Sequence, residues 1–170
     1  GSRSLEPWLG LWRWDTDSCV RALEYYKFWG TLTDAEAEEC ATSNKEFHHV
    51  SISKEHLEVL FKAADTTRNA DFSYTIEIDG RPHEIDPFLR ARANNSIKMN
   101  PSGCWAHWWE GDDLIMEQPC VVRGEMLIHR VTRVLSRDAL FCHELVTRRK
   151  SGEELLRATH AYARVSVASP

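Results

Sequence analysis

Residues 104–166 read CWAHWWEGDDLIMEQPCVVRGEMLIHRVTRVLSRDALFCHELVTRRKSGEELLRATHAYARVS. Four tight separators, Glu110-Gly111-Asp112, Arg123-Gly124, Ser136-Arg137-Asp138 and Lys150-Ser151-Gly152, cut this stretch into segments at 104–109, 113–121, 125–135, 139–148 and 154–166. β-branched and aromatic residues fill the segments, while glycine, serine and charged residues fill the separators. That is the pattern of strands joined by tight turns. The separators leave no room for a crossover helix, so neighbouring strands run antiparallel and a nucleotide-binding α/β fold is not expected.

The same rhythm extends toward the N-terminus, with strands expected at 8–15, 46–53, 57–64, 71–78 and 82–90. Their separators are Ser53-Lys54-Glu55, the run Asp65 to Asn69, and Asp79-Gly80-Arg81-Pro82, in which Asp79-Gly80 is a strong hairpin signal. The stretch 91–103 carries no clear period, and Ser96 to Met99 is the part of it able to form a further short strand. Residues 17–43 break the alternation. Cys19, Val20, Leu23, Tyr26 and Phe28 fall at helical spacings, Thr16 or Asp17 is placed to cap the helix, and Gly30 stops it. Thr33-Asp34-Ala35-Glu36 then reads as a capping box that opens a second short helix to about Thr42. The expected fold is mainly β: an up-and-down antiparallel β-barrel of about ten strands, with a helix–turn–helix lid after the first strand. Barrel closure is expected because it removes exposed strand edges.

A chain of 170 residues is expected to form one domain over residues 1–170. Gly1-Ser2 resembles an expression scar, which leaves room for the chain to have been excised from a longer protein. Apolar residues make up 42% and charged residues 28%, a globular composition. Twenty-six acids against 21 bases give a net charge of −5, so a nucleic-acid partner is not expected. No apolar run approaches the length of a spanning helix, so stable membrane insertion is not expected. Five cysteines without a CxxC spacing read as reduced thiols, and the expected compartment is the cytoplasm.

The first strand carries Trp8-Leu9-Gly10-Leu11-Trp12, which resembles the aromatic-x-Gly-x-Trp opening of the calycins. One strand, a helix–turn–helix and then an uninterrupted run of hairpins is the order of elements in intracellular fatty-acid-binding proteins. The final strands, including Tyr162-Ala163-Arg164-Val165, resemble theirs most closely. The resemblance covers nearly the whole chain in order of elements, and in residues it is confined to the two ends. It implies a lumen holding one hydrophobic molecule, with Arg133 binding the ligand carboxylate and Tyr162 completing the site. The family's Arg-x-Tyr pair on the last strand is here His160-Ala161-Tyr162, so a titratable imidazole stands where a second guanidinium is expected.

Strand alternation extends this set from the residues themselves. If Arg133 faces inward, so do Val131 and His129, and if Tyr162 faces inward, so do His160, Ala158 and Leu156. The family alignment puts Leu140, Cys142, Glu144 and Val146 inside. The other face, Phe141, His143 and Leu145, is about as apolar, so alternation alone leaves the choice open. With the alignment, Glu144 is buried beside Arg133 and His160 and needs one of them as partner. Trp105, His107 and Trp109 share one face of a strand and would suit a flat, conjugated ligand, but the favoured reading of so many tryptophans is a large aromatic core. Tyr25, Tyr26, Phe28 and Trp29 end the first helix and can cover the barrel mouth. Trp12 is read as a core plug with Arg164 stacked on it. His48 and His49 point to opposite faces, and His129, His143 and His160 converge only if His143 faces inward. No metal site and no cofactor are therefore expected.

The leading expectation is a carrier, expected to be a monomer, for one hydrophobic small molecule with a polar head. Its ligand-binding residues are Arg133, Tyr162, His160, His129, Cys142, Trp105, His107, Trp109, Tyr26 and Trp29. The alternative is an enzyme on a calycin barrel, performing acid–base isomerisation or oxidation of a lipophilic substrate as the fold-related luciferase domains do. His160 or Glu144 would then be the base and Tyr162 the acid, with gating by the histidines between pH 5 and 8. A third class, an interaction module, predicts a filled lumen.

Overall fold

The computed structural model describes residues 6–43, 45–52, 56–63, 72–85 and 100–166. Among the described residues there are ten strands: β1 (Gly10–Trp14), β2 (Lys45–Ile52), β3 (His56–Ala63), β4 (Phe72–Glu77), β5 (His83–Glu84), β6 (Cys104–Glu110), β7 (Asp113–Val122), β8 (Glu125–Leu135), β9 (Ala139–Arg148) and β10 (Glu154–Ser166). Two helices, α1 (Ala22–Phe28) and α2 (Asp34–Thr42), follow β1. The strand order is β4-β3-β2-β1-β10-β9-β8-β7-β6-β5, and every neighbouring pair is antiparallel. This is the expected meander, with the first strand joined to the last through Trp12↔Arg164 and Trp14↔Tyr162. The expected strand at Ser96 to Met99, the turns at 53–55 and 65–69, and residues 86–90 of the fifth strand lie outside the described residues.

Three local expectations are corrected. The first helix starts at Ala22, not near 17. Thr16–Ser18 form a single 3-10 turn, and Val20 then exchanges two 2.8 Å backbone hydrogen bonds with Thr159 of β10. A β-branched residue fits that extended bridge better than a helix, and Arg21, at φ 58°, turns the chain into α1. The predicted stop at Gly30 (φ 73°) and the Thr33/Glu36 capping box both form.

The second correction concerns Asp79-Gly80. The turn forms, with Gly80 at φ 77°, a conformation that favours glycine. It closes no hairpin, since β4 and β5 stand at opposite ends of the strand order. Gly80 N–H donates to the His107 carbonyl at 2.8 Å, while the Asp79 carboxylate accepts from Arg81 N–H and meets the His83 ring. The turn thus folds onto β6 rather than zipping its own arms. Third, the barrel is consequently not closed by hydrogen bonds. Among the described residues, a seam separates β4 from β5.

The interior is layered. One apolar cluster holds Trp8, Trp12, Leu57, Val59, Ile76, Ile85, Trp105, Leu114, Met116, Val131 and Leu140. A second, under the helices, holds Trp14, Tyr25, Tyr26, Trp29, Ala37, Ala41, Val122, Leu127, Val146 and Leu156. Trp12 is fully buried, and the Arg164 guanidinium lies 4.2 Å from its ring, as expected of a plug.

Candidate functional site

Between the two apolar layers runs a polar one, built from the inner faces of four adjacent strands. Gln118 on β7, His129 on β8, Glu144 on β9 and His160 on β10 are all buried. Their own strands continue above and below them with apolar residues: Met116 and Cys120, Leu127 and Val131, Cys142 and Val146, Ala158 and the half-buried Tyr162. Burial settles the open face of β9. Leu140, Cys142, Glu144 and Val146 point inward, and His143 points out, where it meets the Thr159 hydroxyl.

The chain of hydrogen bonds has a direction imposed from one end. Ser102 and Gly103 N–H groups donate to Asn100 Oδ1, both at 3.0 Å, and a backbone N–H has no other role. Asn100 Nδ2 therefore faces Gln118 Oε1 at 2.9 Å, which turns Gln118 Nε2 toward His129 Nδ1 at 3.1 Å. An amide nitrogen only donates, so Nδ1 accepts and the proton of His129 sits on Nε2, 2.7 Å from Glu144 Oε2. The other Glu144 oxygen lies 3.4 Å from His160 Nδ1. Burial works to raise the Glu144 proton affinity, but the imidazoles of His129 and His160 and the Arg133 charge outweigh it and hold the carboxyl below the ordinary range.

Glu144 is thus partnered by histidines and not by Arg133. Among the described residues Arg133 forms no ion pair. It lies half-buried on the inner face of β8, paired in register with Leu114 and Cys142, and its charge is felt at Tyr74, His107 and Cys142. Tyr162 is half-buried on the inner face of β10, its ring edge-on to Trp14 at 5.4 Å. Burial drives the Tyr162 hydroxyl well above its usual proton affinity, which makes it a poor acid. Burial likewise pushes the Cys142 thiol up to about 12, so it sits opposite His160 in register as an inert small hydrophobe and not as a nucleophile.

Tyr26 and Trp29 face the polar layer. Tyr26 stacks on His160 at 5.6 Å and accepts from Lys45 Nζ at 3.0 Å, while Trp29 meets the His129 ring at 5.3 Å. Lys45 also donates to the Cys40 carbonyl and lies 3.8 Å over Trp14, which ties the end of α2 to the barrel. At the seam, a cavity of about 460 Å³ is lined by Tyr74, Glu77, His83, Glu84, Ile85 and Trp105 among others. Trp105 and His107 are buried together behind it, 4.8 Å apart, and Trp109 packs edge-on against Trp8. The predicted residues therefore divide into two groups. Arg133, Cys142, Trp105 and His107 belong to the seam half. His129, Glu144, His160, Tyr26 and Trp29 belong to the helix half, with Tyr162 touching both apolar clusters.

The sequence reading missed Gln118 and Asn100. Gln118 carried a signal, since it shares the period-2 face of Leu114, Met116, Cys120 and Val122. Asn100 carried none, because its stretch has no period.

A pH dependence follows. Burial first, then the nearby Lys45 and His129, depress His160 to about 4 from an ordinary 6.5, although Glu144 opposes the shift. The neighbours packed on this ring are His129 on β8, Glu144 on β9, Lys45 on β2 and Tyr25 and Tyr26 on α1. The unfolded chain takes up a proton near pH 6.5 that the folded protein refuses until about pH 4. Stability is full above that window and is lost as pH falls through it, by about 3 kcal/mol in all. Urea unfolding at pH 7 and pH 4.5 checks the loss, and His160→Gln is expected to flatten it.

The strand order and the helical pair after β1 give a fatty-acid-binding-protein-like fold. No family model and no curated protein matches the chain. Solved structures do. The fluorescent protein UnaG is 14% identical with a TM-score of 0.62, over 95% of this chain and all of its own. Fatty-acid-binding protein 1 of Echinococcus granulosus is 12% identical with a TM-score of 0.60, over 95% of this chain and all of its own. Secretory abundant heat soluble protein 4 from Ramazzottius varieornatus is 13% identical with a TM-score of 0.60, over 98% and 100%. At these identities the likeness is one of fold.

Proposed function

We propose that this protein binds one hydrophobic small molecule with a polar head inside its β-barrel, as a carrier. The observation that supports this reading is Arg133. It is an inward-facing guanidinium, and the one buried carboxylate on the neighbouring strand is already held by His129 and His160. A charge on an inner face calls for an anion. A ligand carboxylate beside Cys142 and near Tyr162 would supply it, with apolar and aromatic side chains of the seam half contributing most of the binding energy. His129, His160, Tyr26 and Trp29 form the floor of that site and brace it. Five cysteines without a CxxC spacing support placing the protein in a reducing, cytoplasm-like compartment.

The test is a fluorescence titration with cis-parinaric acid, a conjugated fatty acid. Arg133→Ala is expected to weaken binding by about 1.5–3 kcal/mol, the worth of a charge-assisted hydrogen bond. Unchanged affinity removes Arg133 from the site and the carrier reading with it.

One observation favours the enzymatic alternative. The Glu144 carboxylate lies 3.4 Å from His160 Nδ1, while the buried Nε2 has no hydrogen-bond partner among the described residues. That is the arrangement of a base oriented by a carboxylate. A ring depressed to about 4 is a weak base at neutral pH, which ranks this reading second. It requires a turnover of a lipophilic substrate that His160→Gln abolishes.

A further inference from the structure

His107 stands on the inner face of β6, 1% exposed, and neither of its ring nitrogens has a hydrogen-bond partner among the described residues. Its neighbours on the same face are Trp105, edge-on at 4.8 Å, and the half-buried Trp109. Trp105 is a wall of the seam cavity, together with Tyr74 and His83. Burial holds the His107 ring far below its ordinary proton affinity, and the charges of Arg133 and His83 push the same way. The ring is therefore a neutral imidazole, with one N–H to donate and one lone pair to accept. Leaving both unpaired in an apolar setting is unfavourable, and buried polar groups in native proteins nearly always have partners. Trp105 separates the ring from the seam cavity, and a molecule that passes Trp105 toward Arg133 would supply the pairing.

We propose that His107 is a second anchor for the bound molecule, and that this molecule is a flat, conjugated acid carrying an uncharged O–H or N–H on its ring. This rests on the reading of Arg133 as the anchor of the acid. The carboxylate goes to Arg133, the ring lies against Trp105 and Tyr74, and the neutral group pairs with His107. A saturated fatty acid offers His107 nothing. A second carboxylate would have to be desolvated against a ring that gives it one donor and no charge. A cationic group is disfavoured by Arg133. The class that remains is hydroxylated or lactam-bearing conjugated acids, and a seam cavity of about 460 Å³ admits a bicyclic ring of that kind.

The experiment is isothermal titration of three probes, 2-naphthoic acid, 6-hydroxy-2-naphthoic acid and 2-naphthol, into wild type, His107→Phe, His107→Gln and Arg133→Met. In wild type the hydroxy acid is expected to bind about tenfold more tightly than the plain acid. In His107→Phe that advantage vanishes, and His107→Gln, which keeps a donor and an acceptor, retains part of it. His107→Phe is expected to melt no lower than wild type, because a similar-sized ring replaces an unpaired polar one. A hydroxyl that brings no gain in wild type, or a gain that survives in His107→Phe, overturns the proposal. So does the absence of binding by all three probes. If Arg133→Met leaves both acids unchanged while the hydroxyl gain still depends on His107, the acid-anchor reading fails and the role of His107 stands.

Discussion

Replacing Glu144 by alanine is expected to lower the unfolding free energy by about 2–4 kcal/mol, the effect of losing a hydrogen bond to a carboxylate and leaving its buried donor unpaired. Glu144 is 6% exposed and serves two histidines at once, His129 at 2.7 Å and His160 at 3.4 Å. Its loss leaves the buried His129 Nε2–H without an acceptor and removes the carboxylate from beside His160. The damage does not stop there, because the orientation of His129 is set through Gln118 and Asn100 by backbone amides and cannot turn to find another partner. Glu144→Gln is expected to lose much less, since the amide oxygen still accepts from His129 and its nitrogen can face His160. Chemical denaturation at pH 7 reads both variants. A loss below about 1 kcal/mol for the alanine variant would mean that the polar layer is a bystander to the fold.

Trp12→Ala is expected to have a similar effect, about 3–5 kcal/mol, for a different reason. Trp12 is fully buried in the first apolar cluster, its indole N–H donates to the Trp8 carbonyl at 3.3 Å, and Arg164 lies over its ring. Arg164 in turn donates to the Leu9 and Arg137 carbonyls, at 3.1 Å each, and so binds the segment before β1 to the turn before β9. Removing the ring leaves a large cavity and loosens that clasp. Trp12→Phe, which keeps an aromatic face for Arg164, is expected to recover about half of the loss. Thermal melts of the two variants beside wild type check the ranking.

What was legible in the sequence follows from how local each signal is. The ten strands were readable because period-2 alternation and turn residues act over a few residues, and the helical pair because its capping box does. The start of α1 was not, since Val20 is claimed by Thr159 on β10, a partner 139 residues away. Asp79-Gly80 marked a turn but could not reveal that β6 would capture its amide and leave the seam open. The inner face of β9 was ambiguous because Phe141 and Leu145 are as apolar as Leu140 and Val146. The layer of Gln118, His129, Glu144 and His160 brings four strands together, and only their registers assemble it. The surroundings of Arg133 depend on the same kind of long-range placement, since Glu144 lies with His129 of β8 and His160 of β10 and not with Arg133.

The most direct test of the carrier reading is native mass spectrometry of the freshly purified protein, with extraction and identification of whatever travels with it. The account predicts a one-to-one complex with a lipophilic acid, released on denaturation and diminished in Arg133→Ala. A protein that emerges empty, and whose tryptophan fluorescence is unmoved by fatty acids, retinoids and tetrapyrroles, would contradict it.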